Sequence, residues 1–124
     1  MADNMKLLPS ITAIVISVCL CVGGLYAGEF ETDRFPSTAG DIAVTFIGHG
    51  TFMVEAGGTT VHIDPWSELA GYSTLPDADI VLITHHHADH LDEAALGEIV
   101  MPETTVIGPG RSVGDREGAV IMEW

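Results

Sequence analysis

Residues 80–92 read Ile-Val-Leu-Ile-Thr-His-His-His-Ala-Asp-His-Leu-Asp, an apolar run that passes directly into three histidines and an aspartate–histidine pair. Ile80 to Thr84 has the length and β-branched content of a short buried strand. From Leu91 to Val100 the spacing turns helical, with Leu91, Ala95 and Ile99 on one face. Asp92 and Glu93 fall where the exposed amides of a helix start favour acids. The histidine-rich segment is therefore a loop between a strand and a helix.

Imidazole and carboxylate groups are good ligands for zinc and related divalent ions. On an extended strand end, side chains alternate, so His85 and His87 point to the same side and can grip one ion, while His86 points away. Asp89 and His90 lie further along, where the chain turns into the helix, and are better placed to serve a second ion. A zinc-protease helix needs His-Glu-x-x-His. His86 and His90 have that spacing, but position 87 is histidine, so the glutamate base is absent and that reading is rejected. A surface histidine tract with adventitious metal affinity is the bland alternative. The interleaved Asp89 and the strand and helix on either side argue for ligands instead.

Working backwards, Ile42 to Ile47 is a strand that Gly48-His49-Gly50 breaks, and Thr51 to Glu55 makes the next. Gly57-Gly58 signals a hairpin, so Thr59 to Ile63 is expected to return antiparallel. Asp64-Pro65 ends that strand because proline donates nothing to a ladder. Residues 65–78 read as an irregular excursion. Forwards, Thr104 to Ile107 and Ala119 to Met122 are two more strands. Strands first, then strand–helix alternation, make an α/β layered domain over residues 41–124.

Ahead of it, residues 28–40 are polar, contain a proline and lack an apolar period, which reads as a linker. Residues 1–27 carry Lys6 and then an apolar stretch from Ile11 to Ala27, broken only by Thr12 and Ser17. This leader is either a cleaved signal peptide or, through residues 7–27, a retained membrane anchor. Either form puts the remainder outside the cytoplasm, secreted or attached to a membrane. Cys19 and Cys21 both lie inside it, so no thiolate is left for a metal and the ligands must be nitrogen and oxygen. The chain has 18 acidic and 4 basic residues, a formal net charge of −14, which repels phosphate backbones and argues against nucleic-acid binding.

His85-x-His87-x-Asp89-His90 resembles the HxHxDH signature of the metallo-β-lactamase superfamily of metal-dependent hydrolases. Ile47-Gly48-His49-Gly50-Thr51-Phe52 and Ile63-Asp64-Pro65 are similar to the branch with ascorbate-phosphate lactonase-like and N-acyl-phosphatidylethanolamine phospholipase-like enzymes. The resemblance covers residues 41–124 and implies the N-terminal part of an αββα sandwich, preceded here by the apolar leader helix. It implies two metal ions, zinc with manganese or iron as alternatives. His85 and His87 would hold the first, and Asp89 and His90 the second, with Asp89 also orienting the attacking water. Asp64 would fix the ligand loop from behind, since carboxylates in that position orient ligating histidines. A turn-forming role before Pro65 is its alternative. His49 would either face the site in that branch or serve only its Gly-His-Gly turn, and His62 is expected on a sheet face.

The family takes a further histidine for each metal and a bridging aspartate from downstream. After His90 this sequence contains no histidine. The expectation is therefore a hydrolase of small or lipid-like molecules (cleaving an ester, lactone, amide or phosphodiester bond) whose site is incomplete in this chain. The alternatives are a non-catalytic product that binds metal weakly, and a membrane-tethered module that pairs through its open sheet with a complementing C-terminal half.

Overall fold

The structure, a computed structural model, describes residues 30–123. The leader helix and its reading as signal peptide or anchor fall on residues 1–27, outside the described residues. Among the described residues no helix is long and apolar enough to cross a membrane.

Seven strands form one mixed sheet, each beside its neighbour in the chain. The strands are β1 (Glu31–Phe35), β2 (Ile42–Gly48), β3 (Thr51–Ala56), β4 (Thr59–Ile63), β5 (Ala78–Leu82), β6 (Val100–Gly108) and β7 (Val120–Ile121). The first four run antiparallel as a meander. From β4 onward the pairs are parallel, which requires crossovers. Helix α1 (Glu93–Ile99) links β5 to β6, and the short α2 (Gly110–Val113) links β6 to β7.

Strand β6 begins at Val100, ahead of the expected Thr104, and β7 is confined to Val120–Ile121; three other differences from the sequence expectation have a clear physical reason. Residues 31–35, read as part of the linker, form the edge strand β1 against β2. All five are exposed, so no apolar alternation could announce the strand. Its charges also suit an edge that must not recruit another chain. Strand β5 stops at Leu82 rather than Thr84, because the Thr84 amide donates to Asp64 Oδ1 at 2.7 Å instead of continuing the ladder. Helix α1 starts at Glu93, two residues after Leu91, because Asp92 caps it by accepting from the amides of Ala94 and Ala95. The excursion between β4 and β5 holds a short 3₁₀ turn, Tyr72–Thr74.

One face of the sheet is covered. Val81, Ile83 and Val106 pack with Ala95, Leu96 and Ile99 of α1, with Val113 of α2 and with Tyr72, all buried. Burying each of the larger side chains stabilises by about 1.5–3 kcal/mol. Tyr72 anchors the excursion: the Trp66 amide donates to its phenolic oxygen at 3.0 Å. Burial pushes the Tyr72 phenol up to about 12, against the lowering effect of the Trp66 amide and with the Asp92 charge adding to the rise.

The opposite face is uncovered. Register places Val44, Phe46, Phe52, Val54, Ile63 and Leu82 on it, and none of them is buried. Phe46 is 40% exposed and stacks edge-on against Phe52. Further along, Val120 is 46% exposed. This apolar face runs across the sheet, where monomeric proteins rarely expose a contiguous apolar patch.

Candidate metal centre

The sheet gathers its polar groups at one edge. Parallel strands β4 and β5 both end there, with Asp64 following β4 and the loop of His85 to His90 following β5. The β2–β3 turn, Gly48-His49-Gly50, returns to the same edge. Ligands in α/β sheets characteristically bind beyond the carboxyl ends of parallel strands.

Asp64 organises this edge from beneath. It is 2% exposed and held in a left-handed conformation, φ +46°, which aspartate tolerates better than most residues. Its backbone amide donates to Leu82 O at 2.9 Å and its carbonyl accepts from the Thr51 hydroxyl at 2.7 Å. The carboxylate accepts from the Thr84 amide at 2.7 Å, from the Thr84 hydroxyl at 2.6 Å and from His90 Nδ1 at 2.7 Å.

These bonds assign tautomers. Because the carboxylate only accepts, His90 Nδ1 carries the proton and its Nε2 keeps a free lone pair. The single hydroxyl proton of Thr84 goes to Asp64, so the 3.0 Å contact between Thr84 Oγ1 and His85 Nδ1 is donated by the imidazole. His85 Nε2 is then also a lone-pair nitrogen. One buried carboxylate thus leaves both histidines with a free lone pair on Nε2, the form a metal ligand would need, the one directly and the other through a hydroxyl. Thr84 was not singled out in the sequence. The only signal for it is its place as the polar residue between an apolar strand and the first histidine.

His85 Nε2 lies 3.2 Å from His87 Nδ1, so these two come together as the alternation implied. The His85 and His90 rings are 4.0 Å apart, which brings both halves of the loop to one place. His86 is exposed and makes no side-chain hydrogen bond among the described residues. Lost hydration, and then the charges of Arg111, His87 and His85, hold its imidazole below the ordinary value.

His49 faces the site. Its Nε2 is 2.9 Å from Asp89 Oδ2, and the Asp89 oxygen is 3.5 Å from His90 Nε2. The three residues offer one ligand atom each, all within 4.8 Å of one another. The His49 hydrogen bond is the main reason the Asp89 carboxyl sits below the usual range; burial opposes it, and its own backbone amide and the charges of His90 and His49 add to the lowering. Nitrogen and carboxylate donors at these separations suit a divalent cation.

One further residue braces the site. Asp92, besides capping α1, accepts from the Ser67 amide at 2.8 Å and the Ser67 hydroxyl at 2.6 Å, tying the excursion after β4 to the helix after the loop. His62, expected on a sheet face, is fully buried on β4, with Nε2 at 2.9 Å from Pro76 O and Nδ1 without a hydrogen-bond partner among the described residues. A cleft of about 330 Å³ lies at the other end of β3, lined by Arg34, Asp41, Glu55 and Thr60 among others. Its lining contains no histidine, and it lies away from the candidate ligand groups.

Residues 43–120 match the β-lactamase superfamily domain. A UPF0173 metal-dependent hydrolase from Myxococcus xanthus is 32% identical over 109 residues, covering 76% of this chain and 39% of that protein. One from Aeropyrum pernix is 37% identical over 54 residues, covering 40% of this chain and 22% of that protein. The crystal structure of a protein from Parabacteroides distasonis named as a metal-dependent hydrolase superposes with a TM-score of 0.71 at 36% identity, covering 76% of this chain and 43% of that one. The chain thus spans less than half the length of these relatives. With the strand–loop–helix setting of its histidines in place, the chain belongs to the β-lactamase superfamily.

Proposed function

We propose that this chain carries the N-terminal half of the active site of a metal-dependent hydrolase. The observation that supports it best is the double use of Asp64, whose carboxylate fixes His90 directly and His85 through Thr84. A histidine tract with casual metal affinity has no need of a buried carboxylate that prepares two of its nitrogens. His85 and His87 would hold one cation, and Asp89 and His90 a second, with zinc, manganese and iron all compatible with that donor set. When bound, such cations supply Lewis acidity, which acidifies water and polarises the bond to be cleaved. Asp89 would orient the attacking water, and His49 steadies the Asp89 carboxylate. The substrate would be a small or lipid-like molecule with an ester, lactone, amide or phosphodiester bond. The apolar stretch from Ile11 to Ala27 favours a place outside the cytoplasm, secreted or held at a membrane.

The test is elemental analysis of the purified chain together with lactone and phosphodiester turnover. Near two metals per chain with turnover would mean that the chain completes the site by itself, and would overturn the half-site reading while keeping the hydrolase. Metal without turnover supports a metal-binding half-site, and absence of both removes the proposal.

The uncovered apolar face favours a second reading, in which the chain works with a complementing partner whose own apolar β-layer packs on that face. Mixing the chain with the remainder of the Myxococcus xanthus relative checks this. A stable heterodimer with turnover that neither part shows alone supports it, and two species that never associate refute it.

A further inference from the structure

We propose that His49 is a direct ligand of the cation held by Asp89 and His90, so that three protein ligands of one site come from within this chain. The proposal rests on the reading above that Asp89 and His90 bind metal; it adds a ligand from the β2–β3 turn, outside the HxHxDH segment.

The ligand atoms are already spaced for it. A tetrahedral zinc ion with bonds of about 2.0–2.1 Å keeps its donors about 3.3 Å apart. The observed separations from Asp89 Oδ2, 2.9 Å to His49 Nε2 and 3.5 Å to His90 Nε2, lie on either side of that figure. Without the ion, the close approach of His49 to Asp89 is held by the proton they share. A cation takes the place of that proton and meets the lone pair of His90 that Asp64 has prepared.

The turn is built around this approach. His49 has φ +52°, a left-handed conformation that costs a non-glycine residue energy and tends to persist where function holds it. Gly48 beside it has φ +140°, which only glycine adopts readily. A Cβ on Gly50 would stand 3.1 Å from Cε1 of His90, so the absence of a side chain lets the turn close onto the histidine. Trp66 packs edge-on against the His49 imidazole with ring centroids 5.6 Å apart and limits where it can swing. A turn needing only a polar residue would require none of these.

The experiment is zinc titration of the full chain, followed by long-range proton–nitrogen NMR of the imidazoles and by competition with a chromophoric chelator. His49→Asn is the variant, because asparagine tolerates the left-handed backbone, and His86→Gln is the control. The expected result is that His49 Nε2 loses its proton and moves to a metal-bound shift together with His90 Nε2. Zinc affinity should fall more than 100-fold in His49→Asn, beyond the 10–100-fold typical of a residue that only orients a ligand, and stay unchanged in His86→Gln. If His90 Nε2 shifts while His49 Nε2 keeps its proton, His49 only positions Asp89 and the proposal is overturned. If neither shifts and His90→Gln binds zinc like the parent, the underlying Asp89–His90 site is itself wrong and both readings fall.

Discussion

His90 Nδ1 donates to Oδ2 of Asp64 at 2.7 Å, joining a loop histidine to a carboxylate that follows a different strand and is 2% exposed. The same oxygen takes the Thr84 hydroxyl at 2.6 Å, so the ligand loop is tied to the sheet at both its start and its end. Any change at Asp64 is therefore expected to be felt in stability and, on the proposed reading, in metal binding at once.

Asp64→Asn separates these effects in size. The amide keeps one acceptor oxygen but turns a donor towards either Thr84 or His90, leaving at least one buried bond unmade. An unsatisfied buried group costs about 1–3 kcal/mol, more when charge is involved. Denaturant unfolding of the metal-free chain should show a loss in that range, and zinc affinity should fall about 10–100-fold through the misoriented histidines. A variant as stable and as tight as the parent would show that the carboxylate is a turn residue only.

Gly50→Ala should act on the site with little effect on the fold. The added methyl meets His90 Cε1 at 3.1 Å, so the imidazole must move by a few tenths of an ångström or the turn must lift. Zinc titration should reveal weaker binding, while the unfolding midpoint stays close to that of the parent. Equal losses in both measurements would mean that the turn, rather than the site, had been disrupted.

Much of this arrangement was legible in the sequence. The strands β2, β3 and β4, the hairpin at Gly57-Gly58 and the strand–loop–helix around the histidines follow from apolar periodicity and turn chemistry. The edge strand β1 did not, because Glu31, Thr32, Asp33 and Arg34 bury nothing and the strand exists only through its ladder to β2. Tyr72 was equally silent: a lone aromatic in an irregular stretch carries no period, yet it is fully buried. The partnership of Asp64 with Thr84 depends on how parallel β4 and β5 align, which no local pattern encodes. The side to which His49 turns depends on the bulged register between Phe46 and Gly48.

Asp92 gives a pH-dependent prediction. Burial alone would raise its carboxyl, but the Ser67 hydroxyl and amide and the Ala94 and Ala95 amides outweigh that and hold it below the usual carboxylate range. A depressed folded-state value means the contribution is present above the unfolded value of about 3.9 and is lost as pH falls through the folded one. Asp92→Ala should cost about 1–2 kcal/mol at neutral pH through the lost helix cap. The difference between parent and variant should shrink on acidification below about pH 4. A difference that stays constant across that range would exclude the ionised cap.

His62 titrates with the opposite window. Burial lowers its value, and the Pro76 carbonyl and the Glu55 charge only partly offset this. The unfolded chain then takes up the proton first, so stability is full above about pH 6.5 and declines as pH falls from there towards the folded value. His62→Gln, which can still donate to the Pro76 carbonyl, should remove that decline. Unfolding midpoints of parent and variant measured from pH 7.5 to 5 would settle the matter, and parallel curves would assign the decline to other histidines.

The two faces of the sheet should respond differently to the same kind of insult. Leu96 is 1% exposed in the core beneath α1, and Leu96→Ala should cost about 2–5 kcal/mol. Val54 lies in register with Val44 and Val61 on the uncovered face, so a lysine there can leave its ammonium in water. Val54→Lys should therefore change the stability of the isolated chain by no more than about 0.5 kcal/mol, as surface substitutions do. It should also reduce binding of a hydrophobic dye and abolish association with any partner that packs on that face. A cost comparable to that of Leu96→Ala would mean that something already covers Val54 in solution, and the face could not serve as a free docking layer.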